Sequence, residues 1–211
     1  MMNITKPQKV GLELLENMNI LENVNSEDIE YKNFLNEEHN EIKILDIQFS
    51  HCIFSNVHIQ ESTLEKIVFS DVIFNNCDFS NTDFIDTTFI RCEFNNCKLA
   101  GCNLSENRLC NITMKETNAT YLNLTMASIE NVLFKDTNLK NSYFQETKVK
   151  NIFFENVNLS QTQFFKSSLK NIDLSTCNIE GIAVSLEDIK GAVIEQYQVM
   201  DLIYLLGVKL K

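Results

Sequence analysis

The sequence predicts an all-β fold, a square solenoid of about seven coils closed by a short helical cap at its C-terminal end. Three observations carry that reading. From Ile44 to Ile179 every fifth residue is Ile, Leu, Val, Met or Phe, with Ala119 the one exception, which makes 28 units in a single phase. A second row, two residues before each of these, is small or β-branched: Cys52, Val57, Ser62, Ile67, Val72, Cys77, Thr82, Thr87, Cys92, Cys97 and Cys102. The other three positions of each unit are mostly Asn, Asp, Ser, Thr, Lys or Glu. A period of five matches neither the 3.6 of an amphipathic helix nor the 2 of a strand, so a repeat architecture is required. Two inward and three outward positions per unit fit a coil with one unit per side and four units per turn. Successive turns then stack like β-strands at about 4.8 Å.

Taken in order, residues 1–43 read as an irregular lead-in, with a polar loop at 36–41 and with Ile29 and Phe34 as the first in-phase positions of an imperfect coil. Residues 44–182 form the solenoid, whose seven turns make a rod roughly 34 Å long at about 4.8 Å per turn. A stacking period of 20 residues puts Phe54, Phe74, Phe94, Met114, Phe134, Phe154 and Leu174 in one internal column. The same period lines up two outward columns, Asn118, Asn138, Asn158, Asn178 and Asn111, Asn131, Asn151, Asn171, which can hydrogen-bond from turn to turn. Residues 183–211 are the cap. Ser185, followed by Leu186, Glu187 and Asp188, reads as a helix start, and 195–206 as a second helix with Val199, Leu202, Ile203 and Leu206 on one face and a stop at Gly207.

The chain has 18 Lys and Arg against 29 Asp and Glu, a formal charge of −11. Acids outnumber bases 10 to 4 over residues 1–46 and 8 to 3 over 47–107, but only 7 to 8 over 108–182 and 4 to 3 over 183–211, so the acidity belongs to the N-terminal half. Such a balance excludes an ordinary nucleic-acid binder, because affinity for a phosphate backbone rests on Lys and Arg. No apolar run approaches the roughly 20 residues of a membrane span, and the N-terminal stretch lacks the apolar centre of a signal peptide, so a cytoplasmic protein is expected.

Candidate chemistry is sparse. Six of the seven cysteines, Cys52, Cys77, Cys92, Cys97, Cys102 and Cys177, fall in the small inward row, where a thiol acts as a compact hydrophobe. A spacing of five puts successive cysteines on different sides of the square, not around one ion, and Cys77 and Cys97, one turn apart, are expected to stay thiols in a reducing cytosol. His39, His51 and His58 have no recurring acid or Cys partner, and Gly-rich phosphate loops are absent, so no catalytic, metal or cofactor site is expected. What remains is surface. The acids Asp46, Glu65, Asp83, Asp86, Glu106 and Glu146 gather on one side of the square, and Leu133 stacks with Phe153, and Ile53 with Ile73, on another. At 107–121, Asn107 replaces a small inward residue, Met114 interrupts the Phe column and Ala119 underfills a central site. Either Tyr121 or Leu122 fills that void, or the irregularity distorts the rod and shapes a partner site.

The units CDFSN, TDFID, CKLAG, CNLSE, TNLKN and VNLSQ resemble the A(D/N)LXX consensus of pentapeptide-repeat proteins. That resemblance implies a right-handed quadrilateral β-helix. The lead-in, the uninterrupted turns, the small-residue break TNATYLNL and the ending GIAVSLEDIKGAVIEQYQVMDLIYLLG together resemble the Qnr family of quinolone-resistance proteins, most closely the chromosomal forms of Gram-positive bacteria. The family implies a homodimer joined through C-terminal segments, which would place the seam on Val199, Leu202, Ile203 and Leu206. It also implies binding to DNA gyrase or topoisomerase IV by imitation of duplex DNA, with the acids named above, and Asn107, Met114, Ala119 and Tyr121, at the partner site. Two departures qualify the likeness. Duplex DNA of 34 Å carries about 20 charges, more than this chain's net −11. The five-residue phase never breaks between Ile44 and Ile179, so the projecting loops of Gram-negative relatives have no counterpart here, and binding is better supported than strong protection. The competing reading is an adaptor solenoid that binds an unrelated protein through Leu133 and Phe153.

Overall fold

A computed structural model describes residues 4–8, 11, 15–21 and 28–207. The chain coils into a parallel β-solenoid whose strands pair in register with residues 20 positions away: Phe74 lies on Phe94, Phe94 on Met114, Met114 on Phe134 and Phe134 on Phe154. The central row is the core. Phe34 and Phe54 stack at 4.5 Å between ring centroids, Phe74 and Phe94 at 4.6 Å, and rings on adjacent sides meet edge to face, as Phe74 and Phe79 do at 5.5 Å. Inside a square tube the aromatics of one column satisfy the offset-stacked geometry and those of neighbouring columns the T-shaped one.

The corners explain the polar outer positions. In 28 non-glycine residues, one per unit from Tyr31 to Asn171, the backbone is left-handed, with φ between 50° and 63°. Asn, Asp and Gly tolerate that region best, which accounts for their abundance at this position in a chain with few glycines. Thr176 is missing from the series. Its β-branched side chain resists positive φ, and its Oγ1 accepts the Asn156 N–H at 3.1 Å where the preceding corner uses a backbone carbonyl, Asp136 N–H to Glu155 O at 2.8 Å.

The four sides are not alike. The first, centred on Phe34, Phe54, Phe74, Phe94, Met114, Phe134 and Phe154, and the fourth, centred on Ile29, Phe49, Phe69, Phe89, Leu109 and Ile129, join across a corner into continuous strands such as Thr88–Asn95, Arg108–Lys115, Ser128–Lys135 and Lys148–Glu155. Most of the second side (centres Phe79, Leu99, Ala119, Leu139, Leu159) and the later turns of the third (centres Phe84, Leu104, Leu124, Phe144, Phe164) are built from turns. There an Asn or Asp before the central residue accepts the N–H two residues on, as in Asn103 to Ser105, 3.1 Å, and Asn158 to Ser160, 3.1 Å. This corrects one expectation. The amides of Asn118, Asn138, Asn158 and Asn178 accept bonds within their own turns, whereas Asn111, Asn131 and Asn151 do ladder, at 3.3 and 2.9 Å.

The coil ends later than the sequence suggests, and its first turn is more regular. Asp28–Glu30 and Lys32–Asn40 are paired strands with Ile29 and Phe34 buried, so the first coil begins at the expected in-phase positions, and the stretch read as a polar loop is strand through Asn40. At the other end Asp173 bridges Val193, so coil stacking continues past the short helix Leu186–Ile189, which starts at Ser185 as expected, its side chain accepting the Asp188 N–H. Between Gln196 and Leu206 the cap is three single turns, Gln196–Gln198, Val199–Leu202 and Ile203–Leu206, ending at Gly207 with φ 64°.

Candidate functional site: the third side and the two ends

The irregular stretch 107–121 is not a distortion. Its strand pairs without a slip on both neighbours, and its corners keep the common left-handed φ. Asn107, Met114 and Ala119 are buried, so the expectation that they touch a partner fails. Asn107 is satisfied in place: its Nδ2 donates to the Phe84 carbonyl at 2.7 Å and its Oδ1 accepts the Thr87 N–H at 2.8 Å. Leu122, not Tyr121, compensates for Ala119. A large residue in the small row beside a small residue in the large row conserves volume, and Leu122 is fully buried while Tyr121 stands 55% exposed on a corner.

The six acids do lie along the third side, but they are not a uniform field. Glu65 pairs with Lys43 at 2.7 Å and Glu146 with Lys166 at 2.7 Å, while Lys66 and Met126 take corner positions in the column of Asp46, Asp86 and Glu106. The hydrogen bond from Lys43 holds the Glu65 carboxyl below its usual range. Asp46, Asp83, Asp86 and Glu106 have no ion-pair partner among the described residues, and all four are exposed. Sequence reasoning missed what lies between them. Leu45, Glu65 and Ile85 stack in register, and Leu45 and Ile85 are 47% and 46% exposed. The available signal was an apolar residue at an outward position of its unit.

Six of the seven cysteines are buried in the coil, and Cys110 is half-buried at an outward position. Cys92 and Cys52 are buried, and burial pushes them up to about 12 and about 11; Cys102 moves up for the same reason, and all seven cysteines are free. Among the described residues no group of three or more His, Cys, Asp or Glu is placed to hold a metal, and no helix is long and apolar enough to cross a membrane. A groove of about 310 Å³ runs along His58, Asp78 and Lys98 over Cys77 and Cys97. Asp78 is already engaged there, by the Ser80 hydroxyl at 2.6 Å and Lys98 at 3.2 Å.

Both ends are closed by devices the repeat pattern does not announce. Residues 4–8 run along the side of the rod, away from the terminal coil. The Thr5 N–H donates to Asn111 Oδ1 at 3.1 Å and the Gln8 N–H to Asp71 Oδ1 at 3.0 Å, with Pro7 buried between. Burial alone would raise the Asp71 carboxyl. Two hydrogen bonds from Arg91, at 2.8 and 2.6 Å, and the Gln8 N–H outweigh it and hold the carboxyl below its usual range. Ile20 then plugs the first turn, its N–H on Glu37 Oε2 at 2.9 Å. At the C-terminal end Gln198 is fully buried; its Nε2 donates to the carbonyls of Leu174 and Cys177 at 2.9 and 2.7 Å, and its Oε1 accepts the Glu195 N–H at 2.7 Å. The residues expected on a dimer seam divide. Leu202 packs on the core and Ile203 is half-buried, whereas Val199 and Leu206 are exposed together with Met200 and Tyr204.

A parallel solenoid with a five-residue period, left-handed corners and four units per turn defines the class: the chain is a pentapeptide-repeat protein. Residues 87–164 match the family described as "Pentapeptide repeat region", and residues 49–108 that described as "Pentapeptide repeats (9 copies)". Among solved structures it is similar to a trypsin-treated form of QnrB1, a plasmid-mediated fluoroquinolone resistance protein, at 20% identity over 87% of this chain and 90% of the other, with a TM-score of 0.38. Full-length QnrB1 is 15% identical over 81% and 100%, with a TM-score of 0.30. HetL, a pentapeptide-repeat protein involved in heterocyst differentiation regulation in the cyanobacterium Nostoc sp. strain PCC 7120, is 13% identical over 82% and 92%, with a TM-score of 0.31. No curated protein matches the sequence.

Proposed function

We propose that this protein binds a type II topoisomerase, DNA gyrase or topoisomerase IV, through the third side of its rod, and thereby relieves fluoroquinolone action on that enzyme. The observation that carries the reading is the group Asp46, Asp83, Asp86 and Glu106, four exposed carboxylates without ion pairs among the described residues, on one side of a rod about 34 Å long. A topoisomerase groove built for duplex DNA presents cations at phosphate spacing, and carboxylates on a rigid rod compete for them. Because Lys43, Lys66 and Lys166 dilute the charge, the exposed Leu45 and Ile85 supply apolar contact that DNA does not. The resemblance of the whole-chain plan to the Qnr family supports the choice of partner. The exposed Val199, Met200, Tyr204 and Leu206 support a homodimer joined at the C-terminal ends. A chain of this character acts as a binding surface, not as an enzyme.

The test is a gyrase supercoiling assay in the presence of ciprofloxacin with the purified protein titrated in. Restored supercoiling at sub-stoichiometric to micromolar protein is expected. Inhibition without drug relief would leave binding and remove protection, and no effect would remove both. A second reading, an adaptor for an unrelated protein, draws on a different surface: Leu133 and Phe153, in register and half-buried on the first side.

A further inference from the structure

The N-terminal segment 4–8 shows what the corner between the fourth and first sides can hold. Three residues, Thr5 to Gln8, step from Asn111 to Asp71, which is two turns of the rod. An extended chain covers about 10 Å in three residues and two turns rise about 9.6 Å, so the peptide and the corner column are commensurate. Each contact is a peptide N–H donated to a corner side-chain oxygen. Asn111 does this while belonging to the asparagine ladder, since its Oδ1 accepts both the Thr5 N–H at 3.1 Å and Asn131 Nδ2 at 3.3 Å. Laddering therefore leaves a lone pair for a peptide.

The column continues beyond the segment as Asn131, Asn151 and Asn171, and among the described residues no peptide N–H rests on their side chains. Its surroundings differ from those of the covered part. On the fourth side stand the exposed Lys148, Lys150, Lys170 and Lys190, while Glu130, the acid stacked with Lys150, is already hydrogen-bonded to it. On the first side stand Leu133 and Phe153 in register, flanked by the Lys135–Glu155 pair at 2.8 Å. With Lys150 taken by Glu130, Lys148, Lys170 and Lys190 have no ion-pair partner among the described residues and leave a local excess of positive charge that an anion can cover.

We propose that the corner column Asn131–Asn151–Asn171 is a docking groove for an extended acidic peptide of a partner protein, with an apolar anchor. Its backbone N–H groups meet the asparagine oxygens as Thr5 and Gln8 do theirs, its carboxylates face the lysines, and its apolar side chain packs on Leu133 and Phe153. From Asn111 to Asn171 is three turns, about 14 Å, which an extended peptide spans in about four residues. The charge selects a polyanion, and the acceptor column selects a peptide over a nucleic acid, because phosphates have no protons to donate to it. This groove is separate from the third side and does not rest on topoisomerase binding.

The experiment is fluorescence anisotropy of a fluorescein-labelled octapeptide of alternating aspartate and leucine, titrated with the full chain at 150 mM salt. Saturable binding is expected. It should weaken about tenfold in Lys170→Glu and Phe153→Ser, and about three- to tenfold in Asn151→Gly. Glycine suits the positive φ at 151, so this variant removes the acceptor without straining the corner; unchanged thermal unfolding of each variant shows that the fold is retained. A backbone N-methylated version of the peptide should lose binding as well. The proposal is overturned by absence of saturable binding up to millimolar protein. It is equally overturned if Asn151→Gly and N-methylation leave the affinity unchanged, or if an oligothymidylate binds more tightly than the peptide.

Discussion

The two ends of the rod face the same physical problem and solve it with different plugs, an isoleucine at one and a glutamine at the other. Each terminal coil offers unpaired backbone groups and an open apolar column, which in a solenoid must be covered. At the N-terminal end Ile20 is buried against the first turn with its N–H on Glu37, while Leu21, Tyr31 and Leu35 are exposed; residues 4–8 are held further along the rod, by Asn111 and by Asp71 with Arg91. The C-terminal end is plugged by one buried amide, Gln198, and covered by short helical turns whose far side shows Val199, Met200, Tyr204 and Leu206 to solvent. Both ends expose apolar side chains, and the proposed dimer draws on the larger group, at the C-terminal end.

The largest break in that comparison is at Gln198. Replacing it by leucine takes the donor from the Cys177 carbonyl and the acceptor from the Glu195 N–H, while the Leu174 carbonyl keeps the Cys177 N–H at 2.9 Å, at a cost of about 2–4 kcal/mol. The melting temperature followed by circular dichroism should fall by about 5–15 °C. Next comes the exposed apolar surface. Met200→Glu should convert the proposed dimer to monomer in light scattering, a loss of at least about 30-fold in affinity, with little change in melting temperature because this side chain is outside the core.

A smaller effect is expected where residues 4–8 lie on the rod. Asp71→Asn should speed hydrogen exchange of the Gln8 amide about tenfold or more while the strand amides of Thr88–Asn95 stay protected. The pH dependence has a definite sign. A carboxyl whose folded pKa is depressed contributes fully above its unfolded value of about 3.9 and loses that contribution as pH falls through the lower folded value. Protection at Gln8 should therefore persist down to about pH 4 and disappear below it. The smallest effect is at the aberrant corner. Thr176→Asn should let it adopt the left-handed geometry of its neighbours and raise stability by about 0.5–1 kcal/mol, measurable by urea denaturation.

The solenoid was legible because its chemistry repeats. A large apolar residue at nearly every fifth position leaves one packing solution, and the internal column came out residue by residue as the period of 20 demands. The ends were not legible, because each is built once. Gln198 sits in a polar-looking stretch, and its only sequence signal is its spacing of three from Glu195, whose backbone N–H it caps. The contact of Gln8 with Asp71 spans 63 positions and has no periodic counterpart. The third side was half legible. Its acids could be read from the period, but Lys43 and Lys166 had to be placed a turn away before Glu65 and Glu146 were seen to be engaged. Ala119 and Leu122 show the remaining limit: two irregularities in different rows cancel only when both are seen to point inward.

The central claim is that the unpaired carboxylates of the third side bind a type II topoisomerase. The most direct test is the affinity of immobilised gyrase for the wild-type chain, for the double variant Asp83→Lys with Asp86→Lys, and for Glu146→Lys, whose carboxylate is already paired with Lys166. The account predicts that the double variant binds at least about 30-fold more weakly, since two like charges are brought to a cationic groove, while Glu146→Lys changes binding less than about threefold. Equal affinity of all three proteins, or no binding by the wild type, would contradict it.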